Sequence, residues 1–219
     1  MKTLYPLVAL LLLFTSFFSN HALAIDLEEG ITHQVIIPEQ PPQSTSGKIE
    51  VVELFWYGCP HCHRFQPYIE RWLEDKADYV ELVRLPAILR PEWAIHARAY
   101  YAAEALGVLE DIHIPFFTAI HAHKRKLDTE ASLAEFFAEH GVDKKAFKKA
   151  FKSFSVEGKI RNASNMARRY GVNGTPAVII NGKYRTSQSI CNCSSNDVLE
   201  IIDELAEQEF HLESIASES

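Results

Sequence analysis

Three absences bound this sequence before any motif is read. Beyond residue 18 no apolar stretch approaches the roughly 20 consecutive residues that a membrane-spanning helix needs, so the body of the chain is not read as a membrane span. There is no basic surplus: 22 Lys and Arg stand against 29 Asp and Glu, a formal net charge of −7. An acidic chain suits neither nucleic acid nor an anionic membrane surface, so neither is an expected partner. Cysteine is scarce, with four in 219 residues, and the four fall in two close pairs, Cys59 with Cys62 and Cys191 with Cys193. No internal repeat is visible.

The first 24 residues read as a targeting segment. Lys2 supplies a positive start, Leu4 to Phe18 is almost wholly apolar, and Ala22-Leu23-Ala24 has the small residues of a cleavage site, which together make a secretory signal peptide. An uncleaved anchor is the alternative, and the shortness of the apolar run counts against it. No cysteine stands at the cleavage point to carry a lipid. Removal of Lys2 with the signal would leave residues 25–219 at a net charge of −8, as one domain or one domain with a large insertion. Export would place the chain in an oxidising compartment, where cysteines pair or do redox work.

Ile31 to Ile37 has the pattern of an edge strand and is followed by a polar, proline-rich loop over 38–47. Glu50 to Phe55 is a short apolar run between turn signals, the pattern of a buried central strand. Pro60 suits the first position of a helix, where a missing N–H is harmless, and Phe65, Ile69, Trp72 and Leu73 follow at helical spacing. Tyr79 to Leu85 is a second strand, so residues 50–85 form a βαβ unit. From 91 to 170 the periodicity is helical. It predicts helices near 91–106, 112–123, 129–139, 143–152 and 156–170, with Gly107 and Gly141 as stops. Ala177 to Ile180 is a strand, Asn181-Gly182 is a hairpin turn signal, and Lys183 to Thr186 pairs back. A last helix capped by Asn196 or Asp197 runs to about Phe210, and residues 211–219 form a frayed tail.

Cys59-Pro60-His61-Cys62 lies between a strand and a helix inside a βαβ unit, the setting of a thioredoxin-like redox dithiol. At a helix start, the Cys59 sulfur faces unpaired backbone N–H groups and the positive end of the helix dipole. Both favour the thiolate, which is the nucleophile. His61 is expected to add a hydrogen bond or charge to the same sulfur. Two bland readings stand beside this one: a plain stabilising disulfide, and a zinc site built with His61 and His63 or from all four cysteines. The histidines of 112–123 are read as ordinary residues of an amphipathic helix, and no metal or cofactor is expected.

Two further features belong with the dithiol. Gly174-Thr175-Pro176 precedes a short apolar strand. In a thioredoxin-like fold that loop faces the dithiol with its proline cis and offers backbone to a substrate strand, although the sequence equally allows an ordinary trans turn. Glu53 interrupts an apolar strand six residues before Cys59. A buried carboxylate there would lie under the active site and assist the Cys62 proton; the alternative is a glutamate on a solvated edge.

The chain resembles the periplasmic DsbA-type disulfide oxidases of bacteria. Val52-Glu53-Leu54-Phe55, Cys59-Pro60-His61-Cys62, Ile114-Pro115-Phe116-Phe117 and Gly182-Lys183-Tyr184 carry the likeness, which spans nearly all of residues 25–219. The resemblance implies a thioredoxin-like α/β fold over 25–88 and 171–210 with an all-helical insertion over 89–170. It implies that Cys59 attacks and exchanges, that Cys62 resolves, that Glu53 assists protons, and that a DsbB-type membrane quinone reductase reoxidises the pair. Thr175 departs from the valine of the best-studied oxidases and resembles the isomerase and reductase relatives. The expected function is therefore donation of the Cys59–Cys62 disulfide to reduced, unfolded exported proteins in the periplasm. An isomerase or reductase is the alternative, as is a redox-inert chaperone with its groove beside Pro176. Cys191 and Cys193 depart from the family pattern. They are expected to pair with each other as a structural staple, with a bend at Asn192 bringing them together and a second redox centre as the alternative.

Overall fold

The computed structural model describes residues 25–42 and 46–218. The expected signal peptide, residues 1–24, lies outside the described residues. The sheet contains β1 (Gln34–Val35), β2 (Ile49–Phe55), β3 (Val80–Pro86), β4 (Ala177–Ile180) and β5 (Tyr184–Thr186), in the spatial order β1-β5-β4-β2-β3. Among the described residues the helices are α1 (Pro60–Asp75), α2 (Ala94–Ala105), α3 (Leu109–His121), α4 (Glu130–Glu139), α5 (Lys144–Phe151), α6 (Phe154–Arg169), α7 (Gln188–Cys191) and α8 (Ser195–Glu218), with a 3-10 turn at Pro91–Trp93.

β2 is parallel to β3 and antiparallel to β4, and every one of its residues is buried. Helices cover both of its faces, so neither face needs polar residues. On one face Ile49 and Val51 join Val178 and Ile180 of β4 against Phe65, Ile69 and Trp72 of α1 and Ile201, Ile202 and Leu205 of α8. On the other face Val52 and Leu54 join Ala177 and Ile179 against the helices of 94–169, where Phe116, Phe117, Phe136, Phe137 and Phe147 are all at most 1% exposed. Complete burial of an aromatic or aliphatic side chain contributes about 1.5–3 kcal/mol, so the phenylalanine cluster gives the helical layer a core of its own.

Several boundaries differ from the sequence reading. The edge strand shrinks to Gln34–Val35, because Pro38 has no N–H with which to extend a ladder. α3 begins at Leu109 rather than 112, with Glu110 and Asp111 in the first turn, where carboxylates suit the helix dipole. Lys183 belongs to the turn and not to β5: Ile180 pairs with Tyr184, so the loop has three residues, in which the Lys183 N–H donates to the Ile180 carbonyl and Asn181 and Gly182 both have positive φ. α7 was not anticipated; it is a single turn capped by the Ser187 hydroxyl. The cap of α8 is Ser194, in place of Asn196 or Asp197. Its hydroxyl accepts from the Asp197 N–H at 3.3 Å while its own N–H donates to the Asp197 carboxylate at 2.8 Å, a reciprocal box. The tail expected to fray from 211 continues α8 to Glu218. Asn181 ties it down by donating to both Glu209 and Glu213 at 2.8 Å.

The hairpin turn also anchors the N-terminal loop, since Gln40 N–H donates to the Gly182 carbonyl at 3.0 Å. Gly182 has φ +67°, and a Cβ there would collide with the Gln40 carbonyl oxygen. Gly182→Ala is therefore expected to destabilise the fold by more than about 1 kcal/mol, read as a lower urea midpoint at an unchanged slope.

Candidate active site

β2 ends at Phe55, and Trp56-Tyr57-Gly58 carry the chain to Cys59, the N-cap of α1. Gly58 permits this passage because a Cβ on it would strike the Trp56 ring. That ring is held by a parallel stack on Trp93 at a centroid distance of 4.2 Å. Cys59 has extended backbone angles, and its sulfur accepts from the Cys62 N–H at 3.4 Å in the manner of a capping oxygen. Pro60 follows at the first helical position. Both cysteines are thiols here; Cys59 is 7% exposed and Cys62 fully buried.

Hydrogen bonding sets the two sulfurs apart. The Cys62 thiol as donor, then Thr175 and the backbone N–H groups of Cys62 and His61, bring the Cys59 thiol down to about 5 against the opposing effect of burial. Burial, together with the adjoining Cys59 sulfur, drives the Cys62 thiol well above the ordinary cysteine range. One sulfur, 7% exposed, is thus a thiolate at neutral pH and the other, fully buried, a thiol. The His61 imidazole does not serve the Cys59 sulfur as the sequence reading expected. It is exposed, and its Nδ1 accepts from Arg64 at 3.0 Å, so the contribution of His61 comes from its backbone N–H.

The antiparallel pairing of Ala177 with Leu54 brings the start of β4 to the end of β2. The loop before Ala177 must therefore lie beside Cys59. Its Thr175–Pro176 peptide bond is cis, and the Cys59 thiol donates to the Thr175 carbonyl at 3.3 Å. A groove of about 390 Å³ opens here between His61, the 172–177 segment and the residues of α7. α7 ends at the Cys191–Cys193 disulfide, with Cα atoms 5.1 Å apart. Asn192 between them is left-handed at φ 48°, a conformation that asparagine tolerates.

Glu53 is fully buried on the α1 face of β2. Its carboxylate takes a hydrogen bond from Gln66 at 2.7 Å and one from Arg84 at 3.3 Å. Burial holds its pKa above the ordinary carboxylate value, and Arg84 and Gln66 offset only part of that rise. Gln66 lies one turn of α1 beyond Cys62, so the carboxylate sits under that turn. Arg84 is opposite Glu53 in the parallel register of β2 and β3 and also pairs with Glu70.

Comparison with known proteins agrees with this geometry. A family model described as a DSBA-like thioredoxin domain matches residues 86–200. The thiol:disulfide interchange protein DsbA of Azotobacter vinelandii is 42% identical over 80% of this chain and 81% of its own length. That of Burkholderia cepacia is 37% identical over 82% and 84%. The chain belongs to the DsbA-like thioredoxin family. The crystal structure of Pseudomonas aeruginosa DsbA superposes with a TM-score of 0.79 at 38% identity, covering 84% of this chain and 95% of that one. A DsbA-like chain is thus present from the sheet through the helical layer.

Sequence reasoning did not find Tyr57, Gln66, Arg84 or His113, which surround Glu53 and the Cys59 loop. Arg84 was the most accessible of these, as a lone cation in an apolar strand, but only the strand register sets it against Glu53.

Two outcomes are expected. Alkylation of the reduced protein by iodoacetamide should show a Cys59 midpoint near pH 5; a midpoint near the free-cysteine value of about 8.5 would contradict the cap geometry. The reduced form should also gain stability over the disulfide form as pH rises. Folding lowers the Cys59 pKa, so the gain is complete above the unfolded-chain value of about 8.5 and is lost as pH falls through the folded value of about 5. Below about pH 8 Cys62 is protonated in both states and does not cancel the gain; above the unfolded-chain value Cys62 ionises only in the unfolded chain, and stability falls again. Urea melts of both forms at several pH values between those limits measure the difference.

Proposed function

We propose that this chain is an exported oxidase that donates a Cys59–Cys62 disulfide to reduced, newly exported proteins, with Cys59 as the exchanging sulfur and Cys62 as the resolving one. Family membership makes it a thiol:disulfide oxidoreductase of disulfide bond formation. The observation that carries the assignment of roles is the contrast between a capped, acidic Cys59 and a buried Cys62 with a high pKa.

In the forward step a substrate thiolate attacks the Cys59 sulfur. The Cys59–Cys62 bond breaks, Cys62 leaves with the electron pair, and its sulfur takes up a proton. The substrate's second thiolate then attacks the substrate sulfur of the mixed disulfide, and Cys59 leaves as a thiolate. The hydrogen bonds at the helix start stabilise that leaving group, which drives the disulfide out of the enzyme and into the substrate. Glu53, held by Gln66 one turn of α1 beyond Cys62, assists the proton taken up there. The backbone at Thr175 and Pro176 offers itself to the substrate strand along the groove. A membrane quinone reductase of the DsbB type returns the dithiol to the disulfide, and the targeting segment read at residues 1–24 supports a periplasmic location. The Cys191–Cys193 disulfide acts as a staple that closes α7 onto the start of α8.

Replacing Cys62 with Ser tests the assignment. Without the resolving thiol, mixed disulfides on Cys59 cannot be reversed from within the enzyme, and non-reducing gels of the oxidising compartment should show reducible adducts. Wild-type protein should oxidise a reduced test protein, and the Cys59→Ser variant should show neither adducts nor oxidation. Adducts that persist in Cys59→Ser would overturn the roles, and aggregation suppression untouched by loss of both cysteines, without oxidation, would favour a chaperone.

A further inference from the structure

A polar chain crosses the apolar interior between the helical layer and the dithiol. Tyr57, His113, Gln66 and Glu53 are each at most 2% exposed. Tyr57 Oη and His113 Nδ1 are 2.8 Å apart, His113 Nε2 and Gln66 Oε1 are 3.1 Å apart, and Gln66 Nε2 donates to Glu53 Oε1 at 2.7 Å. With Glu53 ionised, one placement of protons satisfies all three contacts. A carboxylate only accepts, so the Gln66 NH2 faces Glu53 and its carbonyl oxygen faces His113. His113 Nε2 must then carry a proton and donate. Burial lowers the His113 pKa to about 3, so the ring is neutral, its Nδ1 is bare, and the Tyr57 hydroxyl donates to it.

We propose that His113 is a positioning residue for thiol–disulfide exchange: by donating to the Gln66 carbonyl it keeps the Gln66 amide nitrogen turned toward the Glu53 carboxylate. The inference rests on the function proposed above for the part Glu53 plays in the reaction. Without the Nε2–H donor nothing pins the Gln66 carbonyl. The amide is then free to present its oxygen to Glu53, a contact that only a protonated carboxyl can satisfy. His113 thus favours the charged form of Glu53 at one remove.

The other groups around Glu53 stay in place when His113 changes. Arg84 on β3 favours the carboxylate and Glu70 on α1 opposes it. Tyr57 and Tyr100 of α2 also face Glu53, and burial raises both hydroxyls above the ordinary tyrosine value, so they stay neutral. Glu110 of α3 acts on Arg84 and the two tyrosines. The same helix grips Tyr57 a second time, because His121 Nε2–H donates to the Tyr57 carbonyl at 2.8 Å. Between the two histidines Phe117 packs on the Tyr57 ring at 4.9 Å. α3 therefore holds the residue two before Cys59 by both its hydroxyl and its carbonyl.

The test reads the Glu53 carboxyl directly by 13C NMR titration of the reduced full chain, alongside the pH–rate profile for oxidation of a dithiol peptide. His113→Phe keeps the ring packing on Phe55 and Phe117 but has no donor. It should raise the Glu53 midpoint by about one pH unit and move the acid limb of the profile by the same amount. His113→Gln, whose amide can donate toward Gln66, should recover at least half of the shift. Gln66→Met should produce the shift with His113 intact. In a Glu53→Gln background, His113→Phe should leave the profile where Glu53→Gln alone put it. A folded His113→Phe protein in which Glu53 titrates as in wild type overturns the inference. Should that variant not fold, an unshifted Glu53 in Gln66→Met overturns it equally. If instead wild type oxidises no dithiol, or Glu53→Gln leaves its pH–rate profile unchanged, the reaction reading fails, and the carboxyl titration still decides the placement of Gln66 by His113.

Discussion

The hydrogen bonds that converge on the Cys59 sulfur at the start of α1 are the interaction on which the redox half of this molecule depends. A helix must begin with unpaired N–H groups, and here a sulfur takes the place of the usual capping oxygen. The stabilisation is greatest when the sulfur is a thiolate, so the same contacts that begin the helix lower the Cys59 pKa and suit it to the exchanging role proposed for it. Folding and chemistry draw on one set of donors. That set exists only because β2, buried on both faces, delivers the chain to the helix start in a single orientation.

Burying the partner sulfur completes the asymmetry. Cys62 points into the core and is raised by the surroundings that exclude water from it. Beneath it the interior is not wholly apolar. Glu53, Arg84, Gln66, His113 and Tyr57 form a connected polar network in which each named member has a partner. A buried carboxylate with one of its partners removed would be strongly unfavourable, because desolvation is no longer offset. The network therefore ties the helical layer to the sheet more specifically than the phenylalanine cluster, which specifies volume but not direction. It also means that the helical layer bears on the loop that carries the dithiol, through α3, as well as covering the sheet.

The groove beside the dithiol has walls from distant parts of the chain. The Thr175–Pro176 loop reaches Cys59 because β4 pairs antiparallel with β2, and α7 follows from the tight hairpin between β4 and β5. The Cys191–Cys193 disulfide closes a turn at left-handed Asn192 and hands the chain to the Ser194 cap of α8. A short covalent link at that point restrains the wall of the groove without touching the reacting sulfurs.

Much of this was legible in the sequence, for physical reasons that act locally. The spacing of Cys59 and Cys62 across one helical turn, Pro60 at a position that needs no N–H, the apolar run of β2, and the Asn181-Gly182 turn each depend on neighbours within a few residues. The dithiol, the βαβ unit and the helical layer could therefore be read directly, and Glu53 could be singled out as a carboxylate inside an apolar strand. What it pairs with could not. Arg84 opposes it through a parallel register, Gln66 through the rotation of α1, and His113 through the packing of a helix some sixty residues away in sequence. The destination of the His61 imidazole, toward Arg64 and away from Cys59, likewise depends on side-chain rotation at a helix surface, and the persistence of α8 to Glu218 on a contact from Asn181. Local chemistry marked out the dithiol and the residues proposed to act with it. Long-range packing decided what surrounds them, because register and rotation are fixed by the shape of the whole core and leave no pattern in the residues of any one segment.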